Sequence, residues 1–339
     1  MAHYYQNDYN VLAHPRILDA LNRYQNEQNQ VYGLDIHSFN AAKQIKKRFD
    51  VPDSEVFFLI GGTLTNMVFI SSCLRHYEGV ITADTGHINV HETAAVEGSG
   101  YKLITIPNIN GKINGDQVRA KIKEFTDEHM VKPRLVYISN STEIGTIYSR
   151  DELMDLYMAC KENNLYLYID GARLGSALTC KDNDLSPEEL AKYCDAFYIG
   201  GAKNGLIAGE ALLINNKELV KDFRYHIKNM GAMVSKGYFV GIQFEEAFKD
   251  DLYFDIAKRT NDVADYLKAG MTRLGVKIDY SPTNQIFATF PKEEAAIYIS
   301  RYGCEKWHED ITHTTIRFVV GFKTSKEDVD ELLHFIESR

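Results

Sequence analysis

Short apolar runs and segments of helical period take turns along most of this chain. The runs 55–60 (EVFFLI), 79–83 (GVITA), 101–107 (YKLITIP), 134–140 (RLVYISN), 165–170 (LYLYID), 195–201 (DAFYIGG) and 210–214 (EALLI) have the length and residue types of strands. Between them, 64–77, 115–125 and 150–163 carry apolar residues at helical spacing, and 88–98 also reads as a helix. Ser149 and Glu152 are spaced as a capping box for 150–163. Pro187 sits at the first position of a short helix over 186–193. The runs are apolar almost throughout, as strands covered on both faces are. Strands alternating with helices predict an α/β fold: a mostly parallel sheet with helices on both faces. The runs 195–201 and 210–214 stand too close for a helical crossover, which predicts a hairpin and one antiparallel edge strand.

Past residue 245 the alternation changes. A long helix over 252–274 leads into KIDY, QIFATF, a helix near 293–302, TIRFVVGF and a last helix opened by Thr324 and Glu327 as a capping box. This order predicts a small C-terminal α+β domain. The first 45 residues hold helices but little strand signal. The expected organisation is an N-terminal segment at a subunit interface (1–45), a large domain (46–245) and a small domain (246–339).

The 339 residues suffice for about two domains. No apolar run approaches the ~20 residues of a membrane helix, and MAHYYQNDYN lacks the basic and apolar regions of a secretory signal. A net charge of −9 without any basic stripe argues against nucleic acid and anionic membranes as partners. The five cysteines are scattered and form no C-x-x-C pair, so the expectation is reduced thiols in the cytoplasm.

In an open parallel sheet, ligands bind beyond the carboxyl ends of the strands. The groups that follow each strand should therefore converge. They are Gly61-Gly62-Thr63, then Asp84 to His87, then Asn140 to Glu143, then Asp170 to Arg173, then Gly200 to Lys203. Gly62 and Thr63 at a helix start offer free N–H groups and a hydroxyl to an anion, or form a plain turn. Asp170 ends a buried strand and needs a partner. That partner is either Arg173 or the protonated ring nitrogen of a cofactor. Lys203 stands between two core-like strands with glycines around it. It is either a solvent-facing loop lysine or a desolvated amine able to form a Schiff base. His87, His91 and Glu92 have metal-ligand character, but no third ligand lies at recognisable spacing, so no metal is expected. His87 is a candidate for stacking on a ring. P-loop, G-x-G-x-x-G and G-x-S-x-G patterns are absent.

A strand-end aspartate followed by a lysine on the next strand-end loop resembles the arrangement of pyridoxal-phosphate enzymes of the aspartate-aminotransferase-like fold. More narrowly, the chain resembles the threonine aldolases of the β-eliminating lyase group, and their low-specificity branch in particular. GGTLTN (61–66) looks like the phosphate-cup motif, with Gly62, Thr63 and Asn66 matching. GHINVHE (86–92) looks like the segment whose histidine, here His87, stacks on the pyridine ring. IDGARL (169–174) is similar to the D-G-A-R motif. GGAKNG (200–205) looks like the cofactor-lysine motif, and TIRFV (315–319) like the arginine segment that holds the substrate carboxylate. Two positions depart from the pattern. Glu143 stands where many members have a histidine, and Asn7 where a serine often helps hold the carboxylate.

The resemblance implies a lyase that uses pyridoxal 5′-phosphate to cleave L-threonine or L-allo-threonine to glycine and an aldehyde. Lys203 would carry the cofactor, Asp170 would keep its ring nitrogen protonated, and Arg317, Arg173 and Asn7 would face the substrate carboxylate. The base at the β-hydroxyl would be His87, Glu143 or a water between them. A homodimer or homotetramer is implied, with Tyr32 and Gly33 at a subunit boundary. Rival readings are a β-eliminating lyase on the same cofactor and a non-catalytic protein that binds a phosphate ligand.

Overall fold

The computed structural model describes residues 3–339; the first two residues of the N-terminal segment lie outside it. Seven strands, β1 (Glu55–Leu59), β2 (Glu78–Ala83), β3 (Lys102–Ile106), β4 (Lys132–Ser139), β5 (Tyr166–Asp170), β6 (Ala196–Gly200) and β7 (Glu210–Ile214), form one sheet in the order β1-β7-β6-β5-β4-β2-β3. The pairs from β3 to β6 are all parallel. β6 and β7 form the expected hairpin, but β7 is not the edge strand. β1 adds to its far side, antiparallel, in full register from Glu55↔Ile214 to Leu59↔Glu210. Residue character shows why. All five residues of β7 are buried, whereas β1 is exposed at Glu55 and only half-buried at the next three positions.

Alternation along the central strands splits the core in two. Val136, Ile138, Leu167, Ile169, Phe197, Ile199, Ala211 and Leu213 face one layer of helices, which includes α1 (Pro15–Arg23) and α2 (Ile36–Arg48). Leu135, Tyr137, Tyr168, Tyr198 and Leu212 face the other, which includes α3 (Gly62–Cys73) and the helix Phe223–Asn229. This doubly covered sheet explains the continuous apolar runs. The segment read as one helix over 88–98 is two short helices, His87–Val90 and Ala95–Gly98. Thr93 and Ala94 between them lie in the left-handed region and break the helical path.

The C-terminal part is a four-stranded antiparallel sheet, order β10-β11-β9-β8, from β8 (Lys277–Ile278), β9 (Gln285–Pro291), β10 (Glu305–Glu309) and β11 (His313–Val319). The sequence pattern missed β10 because none of its five residues is buried. The long helix Leu252–Arg273 and the last helix Lys326–Glu337 cover this sheet around a third core, into which Tyr5 also inserts. The last capping box is formed by Ser325 and Asp328, not by Thr324 and Glu327. Thr324 is engaged elsewhere: its hydroxyl accepts the Gly321 N–H and bonds the His3 ring.

Candidate active site

The carboxyl ends of β4, β5 and β6 carry one short pattern: Tyr137-Ile138-Ser139, Tyr168-Ile169-Asp170 and Tyr198-Ile199-Gly200. Because side chains alternate, the three tyrosines share the face covered by α3, and all are fully buried. Tyr137 donates to Asp170 Oδ2 at 2.6 Å, and Tyr168 donates to Asn66 Oδ1 at 3.0 Å. Asn66 in turn donates to Asp170 Oδ2 at 3.0 Å and to Glu92 Oε1 at 2.8 Å. All of its polar positions are therefore spent inside the protein. It holds Asp170 in place rather than reaching outward as a phosphate ligand. The other Asp170 oxygen accepts the Ala172 N–H at 3.0 Å.

Burial alone would push the Asp170 carboxyl up. His87 and the hydrogen bonds from Tyr137, Tyr198 and Asn66 outweigh burial, and the group is held below its usual range. Asp170 does not pair with Arg173. The guanidinium turns instead to Asp8, with Nε–Oδ2 at 2.7 Å and Nη2–Oδ1 at 3.0 Å. Asp8 also accepts from Asn284 Nδ2 at 2.9 Å. The Asp8 carboxyl is fully buried, yet Arg173, Lys203 and these bonds overcome the cost of burial and keep it low. Asn7 serves as the turn that presents Asp8: its side-chain oxygen accepts the Tyr9 N–H at 3.1 Å.

Lys203 lies in the 3₁₀ turn Ala202–Asn204, between β6 and β7. The turn is anchored by Asn204 Nδ2 donating to the Tyr253 carbonyl at 2.7 Å, and by the Tyr253 hydroxyl donating to the Gly200 carbonyl at 2.9 Å. Gly200 is required by close approach: a Cβ there would stand 2.2 Å from the Ala172 carbonyl oxygen. The bare backbone lets the loops after β5 and β6 touch, with Gly200 N–H bonded to the Gly171 carbonyl at 2.9 Å. That contact brings Asp170, Arg173 and Lys203 into one neighbourhood. Desolvation and then the Arg173 charge push the Lys203 ammonium below its usual range; Asp8, Asp170 and Glu210 oppose them without winning. A lysine with a lowered proton affinity is a better nucleophile toward an aldehyde.

His87 opens the short helix after β2. Its Nδ1 lies 2.7 Å from Glu92 Oε1; with Nδ1–H donating to that oxygen, Nε2 is left as the basic nitrogen. Burial lowers the imidazole's proton affinity. The Glu92 bond and the Asp170 charge more than offset this, and the net shift is upward. Glu143, after β4, accepts the His87 backbone N–H at 2.9 Å and the Ser139 hydroxyl at 2.6 Å through the same oxygen. Burial pushes the Glu143 carboxyl up despite these bonds. The ring of His91 lies 5.5 Å from that of His87 and 6.3 Å from that of Trp307. His87, Glu92 and Asp170 can bring one ligand atom each within 4.8 Å of one another. Asn66 already ties the two carboxylates together in that space.

Arg317, on β11, comes from the C-terminal sheet. It donates to Gln285 Oε1 at 3.2 Å, pairs with Glu305 and lies over the Trp307 ring, while its buried Nε has no partner among the described residues. Burial and the neighbouring Arg173 charge both lower its proton affinity. Two adjacent guanidinium groups with an unused donor suit a carboxylate. Tyr32 and Gly33 lie elsewhere in the chain's own fold. Tyr32 N–H bonds the Ser235 carbonyl, Arg224 donates to the Tyr32 carbonyl, and both residues line a groove on the side of β1.

These residues fit pyridoxal phosphate on three counts. Lys203 provides an amine beside a deprotonated, thoroughly braced Asp170. α3 has Gly61 as its N-cap and no side-chain cap, so its first N–H groups stay free for an anion. At the next residue, Gly62, a Cβ would press to 2.9 Å on the Tyr198 hydroxyl, so only a bare backbone fits there. Asp8, Tyr137, Gln285 and Trp307 are site residues that sequence reasoning missed, and Glu92 entered it only as a metal-ligand candidate. The repeated Tyr-Ile-small ending of three successive strands was the one signal that pointed to any of them.

Comparison with known proteins agrees with this geometry. The profile of the family described as beta-eliminating lyase matches residues 16–316. A low specificity L-threonine aldolase of Pseudomonas sp. (strain NCIMB 10558) is 31% identical over 324 residues, covering 94% of this chain and 92% of its own. The structure of a threonine aldolase of Leishmania major superposes with a TM-score of 0.97 at 38% identity, covering 99% of both chains. The aspartate aminotransferase of Thermus thermophilus, at 13% identity and a TM-score of 0.70 over 98% of this chain and 90% of its own, shares the fold. On sequence, structure and site together, the chain belongs to the β-eliminating lyase family of pyridoxal-phosphate-dependent enzymes.

Proposed function

We propose that the protein cleaves L-threonine or L-allo-threonine between Cα and Cβ, releasing glycine and acetaldehyde. The observation that carries this reading is the convergence of Lys203, Asp170, His87 and the Arg173–Arg317 pair at one sheet edge, together with the aldolase relatives. When bound, the cofactor supplies an electron sink conjugated to the substrate's amino nitrogen. Lys203 would hold it through its aldehyde, the N-terminus of α3 at Gly62 and Thr63 would hold its phosphate, and Asp170 would keep its ring nitrogen protonated.

Arg317 and Arg173 would grip the substrate carboxylate and so set the orientation of its Cα bonds. His87 removes the β-hydroxyl proton at Nε2. Its imidazole is fixed by Glu92, whose hydrogen bond, with the Asp170 charge, raises its proton affinity. Glu143 spends an oxygen on the His87 backbone and Ser139, which supports a bracing role over that of base. Reprotonation at Cα completes glycine, so no oxidant or further reactant is needed.

The assembly we infer is a homodimer or homotetramer. β1 is paired on one side only and borders a groove of about 860 Å³, walled in part by Leu34, Phe39, Phe57 and Met233. Tyr32 and Gly33 on its rim are the residues we assign to a neighbour's site. Among the described residues no helix is long and apolar enough to cross a membrane. All five cysteines are unpaired, which supports a cytoplasmic enzyme.

The test is the product spectrum. Incubation with L-threonine should give acetaldehyde and no ammonia. Ammonia and a keto acid from serine or cysteine, without acetaldehyde from threonine, would transfer the assignment to β-elimination.

A further inference from the structure

Arg317 belongs to a row of side chains that crosses the C-terminal sheet. Ile286, Ala288, Ile316 and Phe318 of β9 and β11 pack into the third core, and alternation turns the residues between them to the other face. On that face Phe287 of β9 lies opposite Arg317, and Arg317 lies opposite Glu305 of β10. β10 then breaks register. Lys306 pairs with Ile316 and His308 with Thr315, so Trp307 is an extra residue with no partner on β11. A bulge of this kind re-aims a side chain. Trp307 is half-buried, whereas the other four residues of β10 are exposed. Its ring meets that of Phe287 edge-on, with 5.0 Å between centroids and 62° between planes. The Arg317 guanidinium carbon lies 5.3 Å from the centre of the Trp307 ring. On the other side the His91 ring, neighbour to that of His87, is 6.3 Å away.

A guanidinium that receives a carboxylate must present its donors in a fixed plane. Gln285 takes Nη1 of Arg317 and Glu305 takes Nη2. Two contacts at the ends leave the group free to roll about the line that joins them, and with it the unpartnered Nε. A ring face against the guanidinium stops that roll. It attracts the cation without taking up one of its donors.

We propose that Trp307 is a positioning residue for Arg317: its ring is the platform that fixes the guanidinium plane for the substrate carboxylate. The inference rests on Arg317 being that carboxylate's partner.

The experiment compares kcat and KM for acetaldehyde release from L-threonine by the cofactor-loaded protein. Trp307→Leu keeps an apolar contact for Phe287 and removes the ring face. Its KM should rise about fivefold, with kcat held to within about twofold. Trp307→Phe keeps a smaller face and should lie closer to the wild type than the Leu variant does. A Leu variant with the wild-type KM overturns the proposal. So does a Phe variant as impaired as the Leu variant, because packing against Phe287 alone predicts that the two behave alike. A loss confined to kcat overturns it as well. Trp307 is the chain's only tryptophan, which gives a readout without any substitution. Its emission should change as glycine is titrated into the cofactor-loaded wild type. Emission unmoved at glycine concentrations that inhibit cleavage overturns the proposal, even should neither variant fold by far-ultraviolet circular dichroism. Arg317→Gln separates this inference from the reading beneath it. A wild-type KM in that variant overturns the role of Arg317 and the proposal with it. A raised KM there beside an unchanged KM in Trp307→Leu overturns the role of Trp307 alone.

Discussion

At the scale of single residues, the proposed site pairs each side chain to which we assign chemistry with a second that holds it. His87 is held by Glu92 at its ring and by Glu143 at its backbone. Glu143→Gln retains an acceptor for both the His87 N–H and Ser139. Turnover should therefore fall by less than about threefold, whereas loss of a true general base costs on the order of a hundredfold or more; steady-state kcat separates the two. Asp8 holds Arg173 in the same way. Asp8→Asn leaves a buried guanidinium short of its charge partner and should cost about 3–5 kcal/mol in unfolding free energy. The pH dependence has a definite sign. The Asp8 carboxyl is lowered from 3.8 in the folded protein, so its stabilisation is complete above that value and is lost as pH falls through the folded one. Thermal melts between about pH 6 and pH 2 should show that acid loss in the wild type and a smaller one in Asp8→Asn. Lys203 and Asp170 were legible in the sequence because a strand end can be read from the chain alone. Asp8 was not, because its partner lies 165 residues away and nothing local distinguishes it from a turn aspartate.

At the scale of elements, the three Tyr-Ile-small strand ends set the height of the site. Tyr137, Tyr168 and Tyr198 present their hydroxyls on the face that α3 covers, under the start of that helix. Gly62→Ala puts a Cβ within 2.9 Å of the Tyr198 hydroxyl. Either the helix start or the phenol must move, and cofactor affinity should drop by about tenfold, measured by equilibrium titration of the apoprotein. The α/β alternation, the hairpin and most helices were legible because their period is strong. The place of β7 was not: pairing order is decided by which strand has a face to spare for solvent, and β1 has it. The exposed β10 escaped because it carries no apolar alternation, yet it supplies Glu305 to Arg317.

For the whole molecule, side chains from three parts of the chain come together at the candidate site. Arg317 reaches it from the C-terminal sheet, Lys203 and Asp170 from the large sheet, and Asp8 from the N-terminal segment that crosses between them. The groove beside β1 is the face we propose for a second copy. Phe39, 64% exposed on its wall, is a large apolar side chain whose burial would contribute about 2 kcal/mol. Phe39→Glu should shift the mass found by light scattering toward the monomer. The measurement that tests the central claim most directly is joint quantification of glycine and acetaldehyde from L-threonine, for the wild type and for Lys203→Ala, each supplied with pyridoxal phosphate. The account predicts equal amounts of the two products from the wild type and neither from a folded Lys203→Ala. Cleavage that survives in Lys203→Ala, or a wild type that binds the cofactor and releases no acetaldehyde, would contradict it.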